Sequence, residues 1–158
     1  MTNPAAIILS VEGLRLTEAE KRFFASANPL GFILFAYNCD TPEQIIALNN
    51  EIRECVGWDC PILIDQEGGR VNRLKNIISF ENLTSEFFGN KYSKNYKEFK
   101  FFYKLFIDKT SYLLKSLGVN INTSPVLDLR IKGASNIIGN RSFSNNPKTV
   151  SKIGDYCI

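Results

Sequence analysis

The chain has 158 residues, of which 44% are hydrophobic and 22% are charged, a composition typical of one folded globular domain. Its 19 basic and 16 acidic side chains give a net charge of +3, which is too balanced to indicate a nucleic-acid partner. Lysines alternate with aromatic residues between Lys91 and Lys115, but without the arginine-rich motifs of nucleic-acid-binding proteins.

The first two strands and the helix between them are predicted from hydrophobic pattern and capping residues. Residues 6–11 are a continuous apolar run, typical of a strand buried on both faces. A helix is predicted over residues 14–27, where Thr17 is a suitable N-cap and Glu20 completes a capping box. Residues 31–35 repeat the pattern of a buried strand.

A second helix and a third strand follow in the same order. Thr41 is the predicted N-cap, Pro42 suits the first helical position and Gln44 the box position. Apolar residues spaced three and four apart then indicate one buried helical stripe. The third strand is predicted over residues 61–64, and a polar cluster follows it directly.

The second half is predicted to open with a long irregular stretch. A third helix follows over residues 94–116, whose aromatic stripe we interpret as core and whose lysines as its solvated face. Gly118 suits the end of this helix, and a fourth strand begins at residues 119–122. A last helix is predicted after Pro147.

Strands that alternate with helices predict a parallel sheet with right-handed crossovers. Two architectures have this pattern, namely an open doubly wound sheet and part of an eightfold barrel. The glycine-rich phosphate-binding signatures that would favour a nucleotide-binding open sheet are absent from the sequence. In both architectures the chemistry lies beyond the carboxyl ends of the strands, which is where the polar cluster falls.

The cluster combines acids, glycines and arginines within nine residues. Asp65 follows the third strand, the pair Gly68 and Gly69 permits a tight turn, and Arg70 and Arg73 stand three positions apart. A carboxylate accepts hydroxyl hydrogen bonds and a guanidinium donates several, so together they suit a polyhydroxylated ligand such as a sugar. An internal salt bridge without further function is the alternative interpretation.

Residues 64–74, IDQEGGRVNRL, resemble the signature of glycoside hydrolase family 3, in its bacterial β-N-acetylhexosaminidase (β-N-acetylglucosaminidase) branch. Three further segments resemble motifs of that family in the same order: GFILF at residues 31–35, SPVLD at 124–128 and IGNRSF at 138–143. The resemblance therefore covers nearly the whole chain.

The resemblance implies a (β/α)8 TIM-type barrel, of which residues 1–158 are the N-terminal part, about the first four β/α units. It also implies that Asp65, Arg73 and Arg141 hold the terminal N-acetylglucosamine. Glu67, Arg70 and Asp128 are expected to fix the turn or to support these three residues. No cofactor and no metal are expected.

The resemblance further implies a retaining hydrolase that removes terminal β-N-acetylglucosamine from peptidoglycan fragments. Its histidine acid/base and aspartate nucleophile are expected beyond Ile158, and the chain contains no histidine. We therefore expect no catalytic residue in this chain and no turnover from it alone. A complementing C-terminal half-barrel or self-association would complete the barrel; the alternatives are a non-catalytic amino-sugar-binding protein and a remnant half-barrel.

The four cysteines, Cys39, Cys55, Cys60 and Cys157, lack C-x-x-C spacing and have no histidine with which to form a common zinc site. We expect reduced thiols. The apolar run at residues 5–11 is too short for a signal peptide, and no run reaches the length of a membrane span. The sequence thus predicts a cytoplasmic location without membrane contact.

Overall fold

The computed structural model describes residues 3–157, within which four strands form one parallel sheet. The strands are β1 (Ala5–Leu9), β2 (Pro29–Leu34), β3 (Ile62–Ile64) and β4 (Ile121–Asn122). They lie in the order β1-β2-β3-β4, each strand parallel to the next. A doubly wound sheet reverses its strand order at a switch point, whereas a barrel adds each strand beside the last. The observed order is that of the first four β/α units of a TIM-type barrel.

The helices of the described chain are α1 (Glu18–Ala27), α2 (Pro42–Val56), α3 (Ser85–Lys94), α4 (Tyr96–Ser116) and α5 (Pro147–Cys157). Short 3-10 helices occur at Ala36–Asn38 and Gly139–Arg141. None of the helices within residues 3–157 combines the length and the hydropathy needed to span a bilayer.

The predicted N-caps of α1 and α2 are confirmed. Thr17 Oγ1 accepts the backbone N–H of Glu20 at 3.2 Å, and Glu20 Oε2 accepts that of Thr17 at 2.8 Å. Thr41 likewise caps α2 by accepting the N–H of Gln44 at 3.2 Å. The Gln44 side chain, however, accepts from the N–H of Asp40 at 2.9 Å, one residue before the predicted partner.

The prediction that the first strand is buried on both faces is wrong. Ile7 and Ile8 of β1 are 46% and 43% exposed, whereas Phe32 of β2 is fully buried. The reason is position, because β1 pairs with β2 on one side and lies at the edge of the described sheet. A continuous apolar run therefore identified the strand correctly but not its neighbours.

The irregular stretch predicted after β3 contains a helix, α3. Its N-cap Thr84 accepts the N–H of Phe87 at 3.0 Å. The helix has few apolar residues at helical spacing, so periodicity alone did not indicate it. Phe88 nevertheless packs against Tyr103 and Phe106, with ring centroids 4.8 and 5.1 Å away. Tertiary contacts rather than local pattern stabilise this segment.

The aromatic stripe of α4 is only partly core, so that prediction is partly wrong. Phe99 is fully buried and Tyr103 is 3% exposed, but Phe102 is 43% exposed. At 3.6 residues per turn, Phe102 lies on the same face of the helix as Leu105 and Phe106. This face differs from the one that buries Phe99.

The chain divides into two compact units. The sheet unit contains residues 73–79, 112–122 and the described part of 1–65, and its core is formed by β2, β3 and α2. The helical unit contains residues 66–72, 80–111 and the described part of 123–158, and its core is formed by side chains of α3, α4 and α5 together with Phe143.

Candidate functional site

The candidate site begins where β3 ends, because Asp65 directly follows Ile64. The strand pairs with β2 on one side and with β4 on the other, so its backbone is held from both sides. In a barrel of parallel strands the active site lies at the carboxyl ends. Asp65 therefore stands at the edge of the sheet where the chemistry of such folds takes place.

Asp65 and Arg73 are in direct contact within the sheet unit. Arg73 Nη2 lies 2.9 Å from Asp65 Oδ2, and each side chain keeps 26% of its surface exposed. The salt bridge of the alternative interpretation is thus present. It does not exclude sugar binding, because one hydroxyl can donate to the carboxylate while another accepts from the guanidinium.

Arg73 is also placed by residues that follow β2. Its guanidinium carbon lies 5.5 Å from the ring centroid of Phe35, the residue directly after that strand. Burial raises the pKa of the nearby Cys39 thiol to about 12, although the charge of Arg73 acts in the opposite direction. Cys39 therefore stays a neutral thiol beside Arg73.

The two glycines of the motif form the predicted turn in the helical unit. Gly68 and Gly69 have φ of 89° and 58°, the left-handed region that favours glycine. A Cβ on Gly68 would lie 2.4 Å from the backbone oxygen of Leu83. The turn is closed by a hydrogen bond of 3.1 Å from the N–H of Glu67 to the oxygen of Val71.

Arg141 forms a two-point ion pair with Glu67 inside the helical unit. Arg141 Nε donates to Glu67 Oε2 at 2.8 Å, and Nη2 donates to Oε1 at 2.7 Å. The Glu67 side chain is 7% exposed and that of Arg141 is 24% exposed. Such a fork leaves the guanidinium little freedom to rotate. Glu67 thus holds Arg141 in one orientation.

Arg70 contacts the loop that leads to Arg141. Its Nη2 donates to the backbone oxygen of Ile137 and lies 3.4 Å from those of Asn136 and Ile138. These carbonyls directly precede the short helix Gly139–Arg141. Arg70 therefore contacts the protein's own backbone.

Asp128 contributes through its backbone. Its carbonyl oxygen accepts a hydrogen bond of 2.7 Å from Ser142 Oγ, and Ser142 is fully buried. The Asp128 side chain is exposed. The contact links the segment after β4 to the residue that follows Arg141.

The structure pairs Asp65 with Arg73 in the sheet unit, and Arg141 with Glu67 in the helical unit. Sequence reasoning missed Phe35, and also Gln66, which is 1% exposed and donates to Asn72 Oδ1 at 2.8 Å. An aromatic residue directly after an apolar strand was the available signal for Phe35.

Among residues 3–157, no group of three His, Cys, Asp or Glu side chains is arranged to hold a metal ion.

Comparison with known proteins gives a consistent result. Residues 6–158 match the family model described as "Glycosyl hydrolase family 3 N terminal domain". The chain is 31% identical over 151 residues to a β-hexosaminidase of Thioalkalivibrio sulfidiphilus, covering 95% of this chain and 43% of the relative. It is 36% identical over 143 residues to a β-hexosaminidase of Psychromonas ingrahamii, covering 89% of this chain and 40% of the relative.

Solved structures agree with the sequence relatives. NagZ from Neisseria gonorrhoeae, in complex with N-trifluoroacetyl-D-glucosamine, superposes with a TM-score of 0.87 at 27% identity. The match covers 98% of this chain and 45% of NagZ. The chain therefore spans less than half the length of the relatives that it matches.

Proposed function

The chain belongs to glycosyl hydrolase family 3, and we propose that it supplies the sugar-binding half of a site that removes terminal β-N-acetylglucosamine from glycans. On this proposal, residues 1–158 are the N-terminal part of the catalytic barrel. The proposal rests on the Asp65–Arg73 pair directly after β3, in which each side chain is 26% exposed. A relative that binds an N-acylated glucosamine supports an amino sugar as the ligand.

Each proposed sugar-binding residue has a distinct task. The Asp65 carboxylate accepts hydrogen bonds from ring hydroxyls, and Arg73 donates to hydroxyl or carbonyl oxygens. Arg141, oriented by Glu67, donates to a further oxygen. Hydrogen bonds to charged groups contribute about 1.5–3 kcal/mol each.

The bond-breaking step requires groups that these residues do not provide. The retaining mechanism needs a general acid/base and a nucleophile that forms a covalent intermediate. The 158 residues include no histidine, so a histidine acid/base has to come from outside them. We expect no turnover from the 158 residues alone.

The edges of the sheet are the proposed place for a complementing partner. Ile7 and Ile8 of β1 and Ile121 of β4 are 46%, 43% and 42% exposed. Unpaired strand edges bearing apolar side chains bind further strands readily. We propose a complementary C-terminal half-barrel, or a second copy of this chain, as the partner there.

Hydrolysis of a chromogenic N-acetylglucosaminide tests the assignment. The 158-residue chain is assayed alone and together with the C-terminal half of a related β-hexosaminidase. We expect activity only in the mixture, and we expect Asp65→Ala to remove it. A fully active isolated chain would refute the claim that the catalytic groups lie outside these 158 residues. An inactive complex that is nevertheless well folded would count against the assignment itself.

A non-catalytic amino-sugar-binding protein is the second candidate, because the 26% exposed Asp65–Arg73 pair can bind a sugar without any bond-breaking group. It predicts a folded chain that binds N-acetylglucosamine and gains no activity from any complementing half. A remnant half-barrel instead predicts a chain without a discrete fold. Size-exclusion chromatography with a far-UV spectrum distinguishes a folded binder from such a remnant.

We also propose peptidoglycan fragments as the glycan and the cytoplasm as the compartment. The bacterial branch that the motif resembles supports the first proposal. The second is supported by the four free thiols, of which Cys39 and Cys60 are buried, because cysteines stay reduced in the cytosol. Cell fractionation with thiol labelling under native conditions tests the compartment.

A further inference from the structure

An apolar groove lies between α4 and the segment around Phe87 in the helical unit. Its volume is about 490 Å³, within the range of about 300–1,000 Å³ that is typical of small-molecule sites. Phe102, Leu105 and Phe106 of α4 form one wall. The proposed sugar-binding residues do not line this groove, so it is a separate feature of the molecule.

The wall on α4 follows from the sequence. Phe102, Leu105, Phe106 and Lys109 are spaced by three, four and seven residues, and thus share one face of the helix. Phe102 and Leu105 are 43% and 56% exposed. Seven residues at a rise of 1.5 Å make this face about 10 Å long. The groove is therefore open and apolar, and it is about as long as a small amphiphile.

A lysine lies at each end of the groove. Lys91 Nζ lies 4.8 Å from the ring centroid of Phe102 and 5.3 Å from that of Phe87, and pairs with Glu98 at 3.1 Å. Lys109 lies at the opposite end of the α4 face, and within residues 3–157 it has no ion-pair partner. The lining contains these two lysines and no acidic residue. One uncompensated cation therefore remains, at the Lys109 end.

We propose that this groove binds a small monoanionic amphiphile, such as a fatty acid or an aryl carboxylate. The apolar body lies along Phe102, Leu105 and Phe106, and the anionic group meets Lys109. A sugar is a poor occupant, because the lining offers almost no polar group to replace water around its hydroxyls. The inference goes beyond the proposed glycan-binding function and does not depend on it.

A second copy of the chain fits the groove less well. A two-fold interface brings the same patch of each copy together, so the unpaired Lys109 of one copy would face the lysine-bearing groove of the other. Juxtaposed like charges in an interface are unfavourable. A ligand that carries a negative charge meets no such repulsion at Lys109.

The test uses the full 158-residue chain and two fluorescent probes that share an aromatic body. Anilinonaphthalene sulfonate carries one negative charge, and phenylnaphthylamine is its neutral counterpart. Lys109→Gln removes the proposed charge partner. Lys97→Gln is the matched control, because Lys97 is an exposed lysine of the same helix that does not line the groove. Leu105→Asp introduces a charge into the apolar α4 wall at an exposed position.

We expect Lys109→Gln to weaken binding of the anionic probe about two- to fivefold, as for a solvent-exposed charge pair, and to leave the neutral probe unchanged. Lys97→Gln should change neither probe, and Leu105→Asp should weaken both at least about tenfold. Equal effects of Lys109→Gln and Lys97→Gln, or no probe binding by a folded chain, would overturn the proposal. So would a dimer by sedimentation that Leu105→Asp dissociates, because the occupant would then be a second copy.

Discussion

Arg141→Ala should destabilise the protein far more than the loss of an ordinary surface arginine. The substitution leaves the Glu67 carboxylate, 7% exposed, without the two-point partner that it has at 2.7 and 2.8 Å. Breaking a buried ion pair from one side costs about 3–5 kcal/mol. Because the Arg141 side chain is 24% exposed, water can partly replace it, and we expect about 2–3 kcal/mol.

Urea unfolding followed by far-UV circular dichroism measures this change. Arg130→Ala is the matched control, since its pair with Glu86 is 44% and 35% exposed and should contribute about 0–1 kcal/mol. Glu67→Gln should cost less than Arg141→Ala, because it leaves the more exposed partner unpaired and buries no charge. Combining Glu67→Gln with Arg141→Ala should recover part of the loss.

Either of two results would refute this reasoning. One is an Arg141→Ala variant no less stable than Arg130→Ala. The other is a double variant that loses the full sum of both single changes, since independent sites add and paired sites do not.

Two further predictions concern the turn and the first helix. Gly68→Ala should destabilise the protein by more than about 1 kcal/mol, because φ is 89° and the added Cβ would lie 2.4 Å from a backbone oxygen. Gly13→Ala, with open space around it, should stay within about 0.5 kcal/mol in the same urea titration. Burial acts to raise the pKa of Glu20, but hydrogen bonds from two backbone N–H groups outweigh it and hold the pKa below its ordinary value. A lowered pKa stabilises the fold at neutral pH and loses this effect as pH falls through the folded-state value. The wild type should therefore lose more stability than Glu20→Gln between about pH 6 and about pH 3, and equal losses would contradict the assigned hydrogen bonds.

Local signals in the sequence were sufficient where one short segment determines the structure. The apolar run over residues 61–64 predicted β3, and Thr17 with Glu20 predicted the start of α1, because strand formation by an apolar run and helix capping depend on near neighbours in the chain. The tight turn at Gly68 followed from the glycine pair in the same way.

Features that depend on distant residues were not predictable from the chain alone. The exposure of Ile8 depends on which strands flank β1, and a continuous apolar run does not state this. α3 depends on the contacts of Phe88 with α4 rather than on helical periodicity. The pairing of Glu67 with Arg141 joins residues 74 positions apart, so no local pattern could show which acid holds that arginine.

Isothermal titration of the folded chain with N-acetylglucosamine tests the central proposal most directly. Arg73→Ala removes a proposed sugar donor, and Arg22→Ala is the control, because Arg22 is exposed on α1 outside the candidate site. We expect the wild type and Arg22→Ala to bind equally, and Arg73→Ala to bind about 10- to 100-fold more weakly, as the loss of one charged hydrogen bond requires. A folded wild type that does not bind the sugar, or an Arg73→Ala variant that binds it as the wild type does, would contradict the account.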